Sequence, residues 1–209
     1  NEHFTEQWKA QILNLVHTRP YIWPNHARAI REHSVLRAGV SAVFSLPTGS
    51  GKTTLSNLKI ASTLAMGGKV IFLAPTHALV KQVSDDLKNT FRTYTIKNAI
   101  IDGEYVETED VVLADIAVMT PERCLAFLMY YPEAFDSVRL VIFDECHILH
   151  AGDWAHSYRA SDSMMCLHRL FEHASQADYF LLSAMIENTE EIAGWVAERT
   201  GRQCVAVQD

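Results

Sequence analysis

Residues 40–54 read VSAVFSLPTGSGKTT, an apolar run that breaks at a glycine-rich turn before a segment suited to a helix. Glycines let successive backbone N–H groups turn inward around an anion, and a helix starting there aims the positive end of its dipole at the same point. Over Pro47, Thr48, Gly49, Ser50, Gly51, Lys52, Thr53 and Thr54 the pattern predicts a phosphate cradle. Lys52 would reach the β- and γ-phosphates of a nucleoside triphosphate, and the Thr53 hydroxyl would ligate magnesium. A strict motif of this kind has a glycine six residues before the lysine, where this chain has Leu46.

Outward from this turn, strand-like and helix-like stretches alternate. KVIFLA (69–74), TIKNAII (95–101), DIAVMT (115–120), RLVIFDE (139–145) and ADYFLLSAM (177–185) read as strands, with CVAV (204–207) as a last one. Between them, helices are expected from about 51 to 66, 77 to 90, 121 to 131, 158 to 174 and 190 to 199. Phe4, Trp8, Ile12 and Leu15 recur at helical spacing, and Asn25 is a candidate cap for a helix over about 26–37. Near-continuous apolar strands separated by helices predict an α/β fold whose parallel sheet is covered on both faces. Loops after the strands then share one edge, where open α/β sheets bind ligands.

The second chemical signal is VIFDECH (141–147), which sets Asp144 and Glu145 side by side at the end of an apolar strand. Adjacent carboxylates there are costly without a cation. Beside a bound triphosphate they have separate tasks: Asp144 holds magnesium, and Glu145 orients and deprotonates the attacking water.

Together these motifs resemble the first RecA-like domain of a superfamily 2 helicase of the DExH type. LAPTHALVKQ (73–82) is similar to that family's APTxxLxxQ element, VMTPERC (118–124) to its TPE element, and SAM (183–185) stands where Ser-Ala-Thr is usual. The elements follow the family's order across residues 20–200. HARAI (26–30), the Gly-Asp pair at 152–153 and SAMIENTEEIAGWV are similar to the branch containing exosome-associated RNA helicases and archaeal fork-repair helicases. That branch has Gly-Asp-x-x-Arg-Gly after its acidic box; here two extra residues precede Gly152 and Arg159 is displaced.

The resemblance implies a RecA-like P-loop fold and an ATP-binding motor lobe that uses ATP and Mg2+ to translocate on or unwind nucleic acid, DNA or RNA. It implies nucleic-acid contact or coupling at Pro75, Thr76, Thr120, Pro121, Glu122, Ser183, Ala184 and Met185. His147 would link nucleotide state to grip, and His26 would occupy the place of the adenine-reading glutamine. An imidazole cannot copy an amide's paired donor and acceptor, so strict ATP preference is in question. Met185 removes a threonine hydroxyl from the coupling element. Residues 1–209 are expected to form one such domain, 1–38 being helices that lead into it, with the second RecA-like domain lying outside the chain. Two other readings stay open. One is a translocase lobe of a restriction or antiviral-defence DNA helicase; the other is a nucleotide-dependent clamp with little turnover.

Composition bounds these readings. At 209 residues, 48% hydrophobic and net charge −7, the chain is ordinary for a globular domain and argues mildly against an extensive basic groove. Contacts made by hydroxyls, backbone N–H groups and helix dipoles need few lysines. The N-terminal residues lack a signal-like pattern and no stretch is apolar enough to span a membrane, so a cytoplasmic location is expected, or a nuclear one in a eukaryote. Four cysteines without paired spacing fit reduced thiols. Cys146, His147, His150 and His156 match no standard zinc spacing. Trp154 and Tyr158 suit base stacking or, more commonly, loop packing.

Overall fold

The computed structural model describes residues 6, 8, 9, 12, 13, 24–47, 49–98, 113–146, 158–184 and 188–208. In chain order the elements are α1 (Pro24–His33), β1 (Val40–Ser45), α2 (Lys52–Ala65), β2 (Lys69–Leu73), α3 (His77–Thr90), β3 (Ile96–Asn98) and β4 (Ile116–Met119). After them come α4 (Pro121–Tyr130), a 3-10 helix (Pro132–Ser137), β5 (Val138–Phe143), α5 (Tyr158–His173), β6 (Asp178–Ser183), α6 (Thr189–Thr200) and β7 (Gln203–Gln208). The strands form a seven-stranded sheet in the order β3-β4-β2-β5-β6-β1-β7, and every pairing is parallel.

The expected α/β RecA-like architecture is therefore present. Side chains alternate across each strand, so both sheet faces are apolar and both need a cover. Ala42 and Phe44 join a core with Ala29 of α1, Leu55, Leu58 and Ile60 of α2, and Val80 and Leu87 of α3. Val43 faces the other way, into a core with Cys124 and Leu128 of α4, Leu167 and Leu170 of α5, and Val196 of α6. Phe44 and Phe180, on neighbouring strands, hold their rings 5.1 Å apart. Burying each such ring contributes about 1.5–3 kcal/mol.

Element boundaries differ from expectation at both ends of α1 and at the end of β5, which stops at Phe143, before Asp144 and Glu145, rather than at 145. α1 begins at Pro24, which places Asn25 inside the helix rather than at its cap. Proline suits a first helical turn because its missing N–H would have no intrahelical partner there. The same helix stops at His33 instead of running to 37, and Ser34 turns the chain with φ 52°. The 3-10 helix at Pro132–Ser137 was not anticipated. Trp8 and Ile12 pack on the first core as their spacing suggests; Phe4 and Leu15 lie outside the described residues.

A buried polar cluster pins the strand starts. Lys59 of α2 is 2.8 Å from Asp178, and the two side chains are only 1% and 5% exposed. Lys59 Nζ also donates to the carbonyls of Arg37 and Val40 at 2.7 and 3.1 Å. Burial pulls the Lys59 ammonium below its usual range while Asp178 pulls it back, and three acceptors use all three N–H bonds of the charged form. Asp178 further accepts from the Gly39 N–H and from Arg202. The cluster thereby ties the starts of β1, β6 and β7 together, at the sheet edge opposite the loops described next.

Among the described residues no helix is long and apolar enough to cross a membrane. All four cysteines are free thiols.

Candidate functional site

The carboxyl ends of the strands bring the motifs together. β6 lies between β1, which feeds the glycine turn, and β5, which feeds Asp144 and Glu145. Ser45 and Ser183 pair across β1 and β6. Ladder-type bonds continue one residue past the strand ends: Leu46 N–H to Ser183 O at 3.0 Å, Ala74 N–H to Met119 O at 3.0 Å, and Asp144 N–H to Leu73 O at 2.9 Å. The loops thus leave the sheet in fixed register.

In the glycine turn, Gly49 and Gly51 hold φ of 83° and 84°, a region that L side chains seldom adopt. Leu46 does not share that need. Its side chain is fully buried in the first core, its N–H is bonded to Ser183, and its carbonyl accepts from Lys52 Nζ at 3.1 Å. A leucine in place of the usual first glycine is thereby explained: this position contributes packing and a carbonyl, with no left-handed backbone. The Lys52 ammonium is drawn across the turn. Gly51 is the residue before α2, Thr54 N–H bonds back to the Gly51 carbonyl at 2.8 Å, and Ser50 N–H to Pro47 O at 3.2 Å. Pro47 and Thr53 are exposed, Thr54 half-buried, and Ser50 nearly enclosed.

His26, from α1, is fully buried against this turn. A Cβ placed on Gly51 would lie 2.4 Å from the His26 Cε1. Glycine at 51 is therefore required twice, by its φ and by the imidazole.

Asp144 and Glu145 are half-buried. Glu145 has φ 54°, uncommon for a residue with a side chain, and its N–H donates to Asp144 Oδ1 at 3.0 Å. Cys146 sits beneath Asp144 and Glu145, 3% exposed. Burial first, and then the two carboxylates, push its thiol far above the ordinary range, while Lys52 opposes that push. Because β1 and β5 flank β6, the turn that leads to Lys52 and the turn that carries Asp144 and Glu145 leave the sheet on either side of Ser183.

α3 and α4 begin at the same edge. Thr76 caps α3 by accepting from Leu79 N–H at 3.3 Å, and Thr120 caps α4 by accepting from Arg123 N–H at 3.3 Å. Pro121 fills the first turn of α4 and is buried, with Glu122 half-buried after it. Thr76 and Pro75 are half-buried, whereas Thr120 is only 6% exposed. Ser183 is fully buried and Ala184 half-buried. Thr48, His147 and Met185 lie outside the described residues, as do His150, Trp154, His156 and the side chain of Tyr158. Sequence reading missed the contact of His26 with Gly51 and the left-handed Glu145, because neither leaves a local pattern.

A glycine-rich phosphate cradle and an acidic pair flanking one strand define a P-loop nucleotide-binding domain. The family model for the DEAD/DEAH box helicase matches residues 23–192, and the chain belongs to that family. Among curated proteins it is 29% identical over 177 residues to the ATP-dependent DNA helicase Hel308 of Thermococcus kodakarensis, covering 84% of this chain and 15% of that protein. It is 26% identical over 172 residues to the ATP-dependent DNA helicase MER3 of Saccharomyces cerevisiae, covering 78% of this chain and 14% of that one. The chain therefore spans a small part of these relatives. Among solved structures, the DUF1998 helicase MrfA superposes with a TM-score of 0.69 over 98% of this chain and 32% of that chain, at 20% identity, a likeness of fold.

Proposed function

We propose that this chain is the ATP-binding motor lobe of a DExH-type helicase, coupling ATP hydrolysis to movement along, or separation of, nucleic acid. The observation that carries the reading is that the glycine turn before Lys52 and the turn with Asp144 and Glu145 leave the sheet on either side of β6, with the Leu46 N–H bonded to the Ser183 carbonyl.

Backbone N–H groups of residues 49–53 cradle the phosphates, and Lys52 neutralises charge on the β- and γ-oxygens. Thr53, exposed at the start of α2, and Asp144 provide a hydroxyl and a carboxylate that would hold a hard cation; magnesium held there would supply positive charge against the phosphates. Glu145 takes a proton from water attacking the γ-phosphorus. Arginines from a second RecA-like domain would complete the site, such a residue being worth about 10³–10⁵ in rate. Nucleic acid lies over the N-terminal ends of α3 and α4, near Pro75, Thr76, Pro121 and Glu122. Backbone N–H groups and helix dipoles there grip phosphates without lysines. Thr120 acts chiefly as a cap, since its hydroxyl is enclosed and bonded. Ser183 and Ala184 relay the nucleotide state through the Leu46 bond, with His147 as a further link and Met185 lacking the hydroxyl usual at its place.

The test is ATP hydrolysis by the full-length protein, with and without single-stranded DNA, duplex DNA and RNA, beside Lys52→Ala. Stimulation by one polymer that disappears in the variant supports a motor and names its track. Turnover indifferent to every polymer overturns the helicase reading.

A further inference from the structure

The geometry around Gly51 points to a role for His26 that its place in the sequence does not suggest: we propose that it positions the phosphate loop and does not read the nucleobase. The proposal rests on the nucleotide-binding reading given above and specifies how that site selects its ligand.

His26 has no exposed surface. Its ring stands edge-on to Gly51, with Cε1, Nε2 and Nδ1 at 2.4, 3.1 and 3.6 Å from the point where a Cβ would project. The imidazole therefore occupies the volume that any side chain at 51 would claim. Gly51 has φ 84° and ψ 25° and directly precedes Lys52, the first residue of α2. Its backbone sets where the Lys52 ammonium starts and where the free N–H groups of α2 aim. A ring wedged there fixes the direction of the phosphate-binding groups.

The element carrying the ring is itself held. Ala29 is fully buried in the first core, and Arg28 Nη2 donates to the Gln208 carbonyl at 2.9 Å, at the end of β7. To contact a base, His26 would have to leave Gly51 and gain surface that it does not have. Its leverage falls on the phosphates, which ATP, GTP and inorganic triphosphate share. Base identity is then unread by this residue.

The experiment uses full-length protein in magnesium buffer, with ATP, GTP and inorganic triphosphate each displacing a fluorescent ATP analogue. His26→Ala should weaken all three by a common factor of about ten, leaving the ratios among them within about threefold of the parent. His26→Gln should likewise leave the ATP-to-GTP ratio unchanged, and it carries the test if the alanine variant does not fold. Contact itself is read from a double-mutant cycle: with the ring gone, a Cβ at 51 has room. Gly51→Ala should thus weaken triphosphate binding about fivefold less in the His26→Ala background than in the parent. Selective loss of ATP, unchanged affinity for every probe, or strictly additive effects in the cycle would each overturn the proposal. If the parent protein binds none of the three probes, the nucleotide-binding reading falls and the proposal with it.

Discussion

The main-chain N–H of Leu46 donates to the carbonyl of Ser183 at 3.0 Å, joining the first residue of the phosphate turn to the last residue of β6. Any shift of the turn on binding phosphate is felt at Ser183 without an intervening side chain. Ser183 itself is fully buried. Glu145→Gln isolates the chemistry from this mechanical link. It should bind ATP as the parent does and lose turnover by about 10²–10⁴. Equal turnover in parent and variant would remove Glu145 from the role of base and favour a clamp.

The two glycines of the turn should respond differently to alanine. At Gly49 nothing lies within 4 Å of a new Cβ, so only the left-handed φ opposes it, at about 1–2 kcal/mol. At Gly51 the same strain is joined by contact with His26. Gly51→Ala should therefore weaken nucleotide binding at least about tenfold more than Gly49→Ala, measured by titration. Equal effects would mean that the ring yields freely.

The Lys59–Asp178 pair predicts a stability pattern. Lys59→Met leaves a buried carboxylate with Arg202 and the Gly39 N–H as its remaining partners, a loss of about 3–5 kcal/mol. For a domain of this size that lowers the melting temperature by about 10 °C. Lys59→Met with Asp178→Asn should recover more than half of the loss, because an amide oxygen still accepts from Gly39. Additive losses in calorimetry would show that the two side chains do not interact.

Alkaline pH should weaken the fold. Burial lifts the Cys204 thiol from 9.0 to about 12, and Cys166 moves the same way through burial and its contact with Cys124. The unfolded thiol gives up its proton near 9.0 while the folded one retains it. The stability from this source is fully present below pH 9.0 and declines as pH rises toward about 12. Urea midpoints should fall from about pH 8 to about pH 10, and fall less in Cys204→Ser. A flat profile would contradict the burial of these sulfurs.

Thr76 and Thr120 separate capping from recognition. Each alanine variant should lose about 1 kcal/mol of stability from its helix cap. Only Thr76→Ala should also weaken nucleic-acid binding, since Thr120 is 6% exposed. Weakening by both, beyond their shared stability loss, would place the Thr120 hydroxyl at the polymer.

Much of this arrangement is legible in the sequence because its signals are local. The run 70–73 is apolar on both faces, as a central parallel strand must be. α3 begins at His77 and ends at Thr90, as its pattern predicts. The turn at 47–53 announces itself by composition. What stays hidden depends on distance along the chain: Lys59 reads as a charged residue on a helix, and nothing near it signals Asp178. His26 likewise reads as a substituted base reader until α1 is laid against Gly51. Leu46 looked like a defect in the motif only because the strict pattern does not record which positions need left-handed backbone.

The strand order has a consequence for how the protein is made. β1 is formed early in the chain, yet both of its neighbours, β6 and β7, come from residues 178–208. During synthesis the phosphate turn emerges long before the strands that fix its register, and residues 40–45 stay unpaired within this sheet through that interval. Such long-range pairing slows folding and leaves an apolar segment open to wrong partners. A nascent chain released before residue 178 would carry the whole glycine motif on a strand with no sheet partner on either side, so the register of that turn is set only by the last strands to be made.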